Sequence, residues 1–206
     1  MKVYFVRHGE SVGNKANLHQ TAGMPLSKMG REQAEKIAER LKKFKIDKIF
    51  VSPAERTKET AEIISRSLNI PIETRSELTE ARAPSEIKGK SIKDPEVMEI
   101  KKLIKENYYK GNWKYSDEEN FEDLNLRTQA FLDHLLKYHK DSDILCVSHA
   151  TLIKFFVAKM AFATELTPSI FHAIFHHFST QNTGLTVCEY EENTWRIRHF
   201  NDVSHL

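Results

Sequence analysis

Three short runs of apolar and β-branched residues constrain this chain more than anything else in it. Lys2 to Val6, Lys48 to Ser52 and Asp143 to Ser148 are too short for helices and read as strands. Each stops at a polar stretch: Arg7-His8-Gly9-Glu10, Ser52-Pro53-Ala54-Glu55-Arg56 and Ser148-His149-Ala150. Helical periods fill the space between. Ala34, Ile37, Ala38, Leu41 and Phe44 recur at helical spacing after Ser27, a candidate N-cap. Ala54, Thr57, Ala61, Ile64 and Leu68 do the same after Pro53, which is expected within a first helical turn. The unbroken run Ile144-Leu145-Cys146-Val147 suits a strand buried on both faces.

The rest of the chain extends the alternation. Pro71 to Thr74 reads as a short strand. Helices are expected near Pro95 to Tyr109, over Glu119 to Tyr138 and over about Thr151 to Phe162. Leu185 to Tyr190 and Thr194 to Phe200 read as two strands around a Glu191-Glu192-Asn193 turn, so one of them is antiparallel. The expected fold class is α/β: a three-layer α/β/α sandwich on a mostly parallel sheet with one antiparallel strand. At 206 residues one domain is expected, spanning 1–206. Residues 79–118 contain Pro84, Pro95 and Gly111 and follow no single period. They read as an insertion over one end of the sheet that selects substrate.

Thirty-one basic against 29 acidic residues give a net charge of +2. Bulk charge therefore suggests neither a nucleic-acid partner nor a membrane surface. Two cysteines, Cys146 and Cys188, make no secreted-type disulfide framework. No run approaches the roughly 18 apolar residues of a membrane span, since Leu152 to Ala163 is broken by Lys154 and Lys159. The N-terminus meets Arg7, His8 and Glu10 before a signal-peptide core can form. A cytoplasmic location is expected.

Sites in open α/β sheets lie at the carboxyl ends of strands. Three strands here deliver two histidines and two arginines to that edge. Arginine offers planar paired donors that match phosphate oxygens. A neutral imidazole can attack phosphorus. Gly9 lets backbone approach closely. Burial and nearby guanidinium charge push an imidazole toward its neutral form.

The ordered set resembles the histidine phosphatase superfamily, also called phosphoglycerate-mutase-like. Arg7-His8-Gly9-Glu10-Ser11 with Asn14 resembles its opening. Pro25-Leu26-Ser27, Gly30 and Gln33-Ala34 match the segment before its first helix. Ser52-Pro53 with Arg56, Thr60 and Ala61 resembles its second arginine motif, Leu78-Thr79-Glu80 its acidic motif and Val147-Ser148-His149 its second histidine. The ending Asn201 to Leu206 is also similar. The resemblance implies that His8 is a nucleophile forming phosphohistidine. Arg7, Arg56 and His149 would hold the phosphoryl oxygens. Glu80 would be general acid and then base, protonated for the first step because a dianionic phosphate lies beside it. Glu77 and Glu86 are close in sequence, and Glu86 is the second candidate. Asn14, Gln20, Arg82 and Asn182 are implied substrate contacts. No metal and no cofactor is implied. The chain departs from the family at Gly23, where many members carry Asp, and at Ala150, where Gly is commoner.

The implied activity is hydrolysis of a small phosphorylated metabolite, with inorganic phosphate as product. A cofactor-dependent phosphoglycerate mutase is the alternative, and a non-enzymatic phosphate-binding module a distant third. A metallohydrolase would need His172 and His176 at i, i+4 as ligands, without the Glu of an H-E-x-x-H pattern. The apolar stripe Phe171, Ile174, Phe175 and Phe178 argues instead that these histidines edge a core or line the active-site rim. The aromatic-rich 170–178 segment is one contact through which a homodimer could form.

Overall fold

The computed structural model describes residues 1–206. Its strands are β1 (Lys2–Arg7), β2 (Lys48–Val51), β3 (Ile72–Thr74), β4 (Ile144–Ser148), β5 (Leu185–Glu191) and β6 (Thr194–Asp202), in the order β3-β2-β4-β1-β5-β6. β3, β2, β4 and β1 run parallel, and β5 pairs antiparallel with both β1 and β6. Glu192 and Asn193 both have positive φ, 51° and 61°, which suits the tight turn joining β5 to β6.

The period of two in the central strands divides the core. Val3, Phe5, Phe50, Ile144 and Cys146 face one layer of helices, α5 (Phe121–Tyr138) and α6 (Ala150–Phe162). Tyr4, Val6, Ile49, Val51, Leu145 and Val147 face the other, α2 (Lys28–Leu41) and α3 (Glu55–Leu68). Every residue of β4 is buried, as its unbroken apolar run predicts.

One local expectation is corrected, and two helices are added. Pro53 precedes α3 instead of opening it, because backbone stays extended through the N-cap Ala54 (φ −70°, ψ 145°). That extra extended step lets Ser52 reach His149. A four-residue helix, α1 (Val12–Lys15), closes the loop after His8 through a reciprocal Ser11–Asn14 cap. A ten-residue helix, α7 (Pro168–His177), carries the apolar stripe of Phe171, Ile174 and Phe175. Residues 79–118 contain the expected helix, α4 (Pro95–Asn107), over a small separate core of Ile87, Val97 and Ile100.

Candidate active site

β1 and β4 are neighbours, and β2 lies beside β4, so their carboxyl ends bring Arg7, His8, Ser52 and His149 to one edge. The ends are strapped together: His8 N–H donates to Ser148 O (3.0 Å) and Ser52 N–H to Val147 O (3.1 Å). The loop after β1 presses on the start of α2. A Cβ on Gly9 would lie 2.3 Å from Gly30 O, and one on Gly30 would lie 2.0 Å from Glu10 O. Only glycine fits at either position. Ser27 caps α2 by accepting from Gly30 N–H (3.0 Å) while its hydroxyl donates to Glu10 (2.6 Å). Thr60 Oγ1 accepts from Gly9 N–H (3.1 Å).

His8, His149 and Arg56 are nearly sealed from solvent, at 2%, 1% and 5% exposure. Their hydrogen bonds fix the tautomers. The Nδ1 of His8 lies 2.7 Å from Gly9 O, a pure acceptor, so Nδ1 carries the proton. Arg56 Nε–H donates to His8 Nε2 (3.2 Å), which must therefore present a lone pair. Arg56 Nη2 likewise donates to His149 Nδ1 (3.1 Å), and His149 Nε2–H donates to Ser52 Oγ (2.7 Å). Arg56 Nη1 donates to Thr21 O (2.9 Å). One guanidinium thus sits between two imidazole lone pairs, whose rings are 5.3 Å apart. Burial, reinforced by Arg56 and Arg7, pushes His8 well below the usual imidazole value. Burial pushes His149 down as well, with His8 and both arginines adding to it. Burial draws Arg56 down to about 10. Arg7 donates through Nη1 to Thr180 O (2.6 Å), while its buried Nε has no partner. An anion at this edge would supply one.

Glu80 reaches the same place by a different route. Ser148 Oγ–H donates to Leu78 O (2.8 Å), and Arg127 Nη1 donates to Glu77 O and Thr79 O (2.7 Å each). The segment so held lays the Glu80 carboxylate over the start of α6. It accepts from Ala81, Thr151 and Leu152 N–H at 2.9, 3.1 and 3.0 Å. Oε1 takes two of these bonds and Oε2 one, so Oε2 keeps a site able to carry a proton. Glu86 is exposed, accepts from Ser116 Oγ (2.9 Å) and does not line the chamber.

These groups form the floor of a chamber of about 1080 Å³, whose walls include Gln20, Arg82, His172 and His176. Asn14 and Asn182, expected as substrate contacts, turn inward instead. Asn14 Oδ1 accepts from Ser11 N–H (3.2 Å), and Asn182 Nδ2 donates to His8 O (2.9 Å), so both brace the histidine loop. Gln20 also bonds Ser11, accepting from its hydroxyl at 2.5 Å. His172 and His176 stack edge to face at 4.3 Å, and no three His, Cys, Asp or Glu side chains are grouped where they could share an ion. Much of the 170–178 segment, considered above as a dimer contact, faces the chamber through Phe171, His172, Phe175 and His176. The sequence reading missed Thr183, whose backbone N–H donates to Arg7 O (3.0 Å), and Lys154, whose ammonium donates to Phe175 O (2.9 Å) and ties α7 to α6. A lysine among apolar residues of a helix was the only visible sign of the second. No helix is long and apolar enough to cross a membrane.

The family model for the histidine phosphatase superfamily, branch 1, matches residues 3–203. A Bacillus subtilis protein named as the uncharacterized phosphatase PhoE is 30% identical, covering 99% of this chain and 96% of its own length. A probable phosphoglycerate mutase, GpmB of Proteus mirabilis, is 28% identical, covering 100% and 95%. The solved structure of Bacillus stearothermophilus YhfR superposes with a TM-score of 0.82 at 24% identity, covering 99% of this chain and 98% of that one.

Proposed function

Because the chain belongs to the histidine phosphatase superfamily, we propose that it is a metal-independent phosphomonoesterase acting on a small phosphorylated metabolite. The observation that carries this reading is the fixed tautomer of His8: Nδ1 holds the proton, and Nε2 keeps the lone pair at the chamber floor, where Arg56 Nε–H occupies it until a phosphoryl group draws the guanidinium to its oxygens. In the first step Nε2 attacks phosphorus, the ester P–O bond breaks, and the leaving oxygen takes a proton from Glu80. In the second, water attacks the phosphohistidine, gives its proton to Glu80, and the P–N bond breaks to release inorganic phosphate. Arg7, Arg56 and His149 hold the phosphoryl oxygens and stabilise charge in both transition states. The two guanidiniums supply the positive charge that a metal ion supplies in other phosphoryl-transfer sites. The whole chain acts as one catalytic domain, with 79–118 selecting the substrate.

The mutase alternative uses the same intermediate and returns the phosphoryl group to the product. Likeness to GpmB keeps it in view, while the largely apolar outer chamber suits a leaving group larger than a triose. A labelled phosphomonoester should leave acid-labile phosphate on the protein and release inorganic phosphate. Rapid isomerisation of 3-phosphoglycerate in the presence of bisphosphoglycerate, with little free phosphate, would replace the phosphatase reading by the mutase one.

A further inference from the structure

A phosphoryl group fills only the floor of the chamber, between His8 and Glu80. The remainder lies against α4 and α7, and its walls differ in kind. Ile87, Ile92, Ile104, Phe171 and Phe175 give it an apolar lining. Lys101, Lys102 and Lys105 line it from α4, and none of them has a carboxylate partner. Nearby lysines do: Lys90 pairs with Glu96 and Lys114 with Asp123, both at 2.6 Å. The two acids of this wall are already engaged. Glu119 is bound by Arg127 at 2.7 Å, and Glu118 accepts from the backbone N–H groups of Tyr115 and Ser116.

His19 Nε2 lines the chamber without a partner, and so do two buried atoms at α4 and α7, Tyr108 Oη and His172 Nε2. The rings of the latter two lie 5.9 Å apart. Burial raises the Tyr108 phenol further above its ordinary value, so the hydroxyl keeps its proton and remains a donor. A buried donor without an acceptor is costly, and both residues line the chamber, so an acceptor on a ligand held there could meet them.

We propose that the α4–α7 wall is a second binding site for the remote end of the leaving group. That end carries an anionic group on a ring or hydrocarbon body. Tyr108 and His172 receive the anion as donors, Lys101 and Lys105 supply the positive field, and the apolar wall takes the body. The proposal rests on the phosphatase reading for the orientation of the ester, phosphoryl group inward.

Three alkyl phosphates test it, with leaving groups of matched basicity: ethyl phosphate, 2-phenylethyl phosphate and 2-(4-carboxyphenyl)ethyl phosphate. In the wild type kcat/KM should rise roughly tenfold with the ring and roughly tenfold again with the carboxylate. Tyr108→Phe removes one oxygen, and Lys101→Ala with Lys105→Ala alters only exposed side chains. Each should bring the carboxylate-to-phenyl ratio to within about threefold of one while keeping the phenyl-to-ethyl ratio. A ratio cancels any general loss from misfolding. Calorimetric binding of the same esters to His8→Ala reads the two steps without turnover. If all three esters react and bind within twofold of one another, the second site is refuted and the phosphatase reading stands. If none reacts but the binding order holds, the second site stands and the phosphatase reading falls.

Discussion

The floor and the outer wall of the chamber are built on opposite principles. On the floor nearly every polar group is held by the chain: Arg56 spends its fork on two imidazoles and a carbonyl, and Glu80 accepts three backbone N–H groups. The floor hangs from strand ends whose flanking cores number 22 and 13 buried residues, so its geometry is set before any ligand arrives. The outer wall rests partly on a core of only 3, and it leaves lysines, a phenol and an imidazole unpaired. Chemistry needs preorganised groups. Choice among substrates is supplied by groups that gain partners only when the right leaving group is present.

His8→Ala should separate the two ends most sharply. Turnover is expected to fall by roughly 10⁴-fold or more, with no acid-labile phosphate trapped from labelled ester. The order in which esters bind should survive, because the wall that ranks them is untouched. Retention of even a hundredth of wild-type turnover would remove His8 as the nucleophile.

Glu80→Gln comes next. An amide oxygen in the Oε1 position keeps the bonds from Ala81 and Leu152 N–H, the amide nitrogen cannot accept from Thr151 N–H, and the transferable proton is gone, so alkyl phosphates should slow by about 10³-fold. Aryl phosphates with acidic leaving groups should lose much less, since they need little protonation. Glu86→Gln, at an exposed residue bonded to Ser116, should change neither. A slow Glu86→Gln beside an active Glu80→Gln would reverse the assignment.

Arg56→Lys should cost about 10²-fold in kcat/KM with esters of every size. Lysine keeps the charge but cannot bridge His8, His149 and the Thr21 carbonyl at once. A loss confined to bulky esters would shift Arg56 from the floor to the wall.

These differences also explain what could be read from the sequence. Strands, layers and most of the floor were legible because Arg7, His8, Arg56 and His149 lie at or soon after strand ends, where local period and position in the fold are the same information. Arg7, His8, Arg56 and His149 needed no knowledge of pairing. Glu80 was harder. Its position depends on Ser148 and Arg127 holding carbonyls about 50 to 70 residues away along the chain, contacts that no local pattern announces. Asn14 and Asn182 were correctly near the site but misjudged in direction, since an amide that braces a loop looks the same in sequence as one that faces a ligand. The outer wall was least legible. Tyr108, at the end of α4, and His172, on α7, are 64 positions apart along the chain and meet only because the two helices close over the same chamber.

The smallest effect tests how the floor changes when an anion enters it. In the free protein both imidazoles present lone pairs to Arg56, and burial holds both below their usual value. Their neutrality has a stability consequence with a definite sign. The unfolded chain takes up protons as pH falls through the ordinary imidazole range while the folded chain does not, so stability should fall as the medium is acidified below about pH 6.5. An anion reverses part of this. If Arg56 turns Nη2 to a phosphoryl oxygen, His149 Nδ1 loses its donor and faces negative charge, and a proton there becomes favourable. Binding of inorganic phosphate near pH 8, where phosphate is already dianionic, should therefore take up close to one proton, seen as a binding enthalpy that depends on the buffer's ionisation enthalpy. Affinity should weaken by up to about tenfold for each further pH unit. Ser52→Ala frees His149 Nε2 from its acceptor and should alter this uptake before it alters the ranking of substrates. Zero uptake in the wild type would mean that His149 meets the anion by donating from Nε2, with its ring turned away from Ser52.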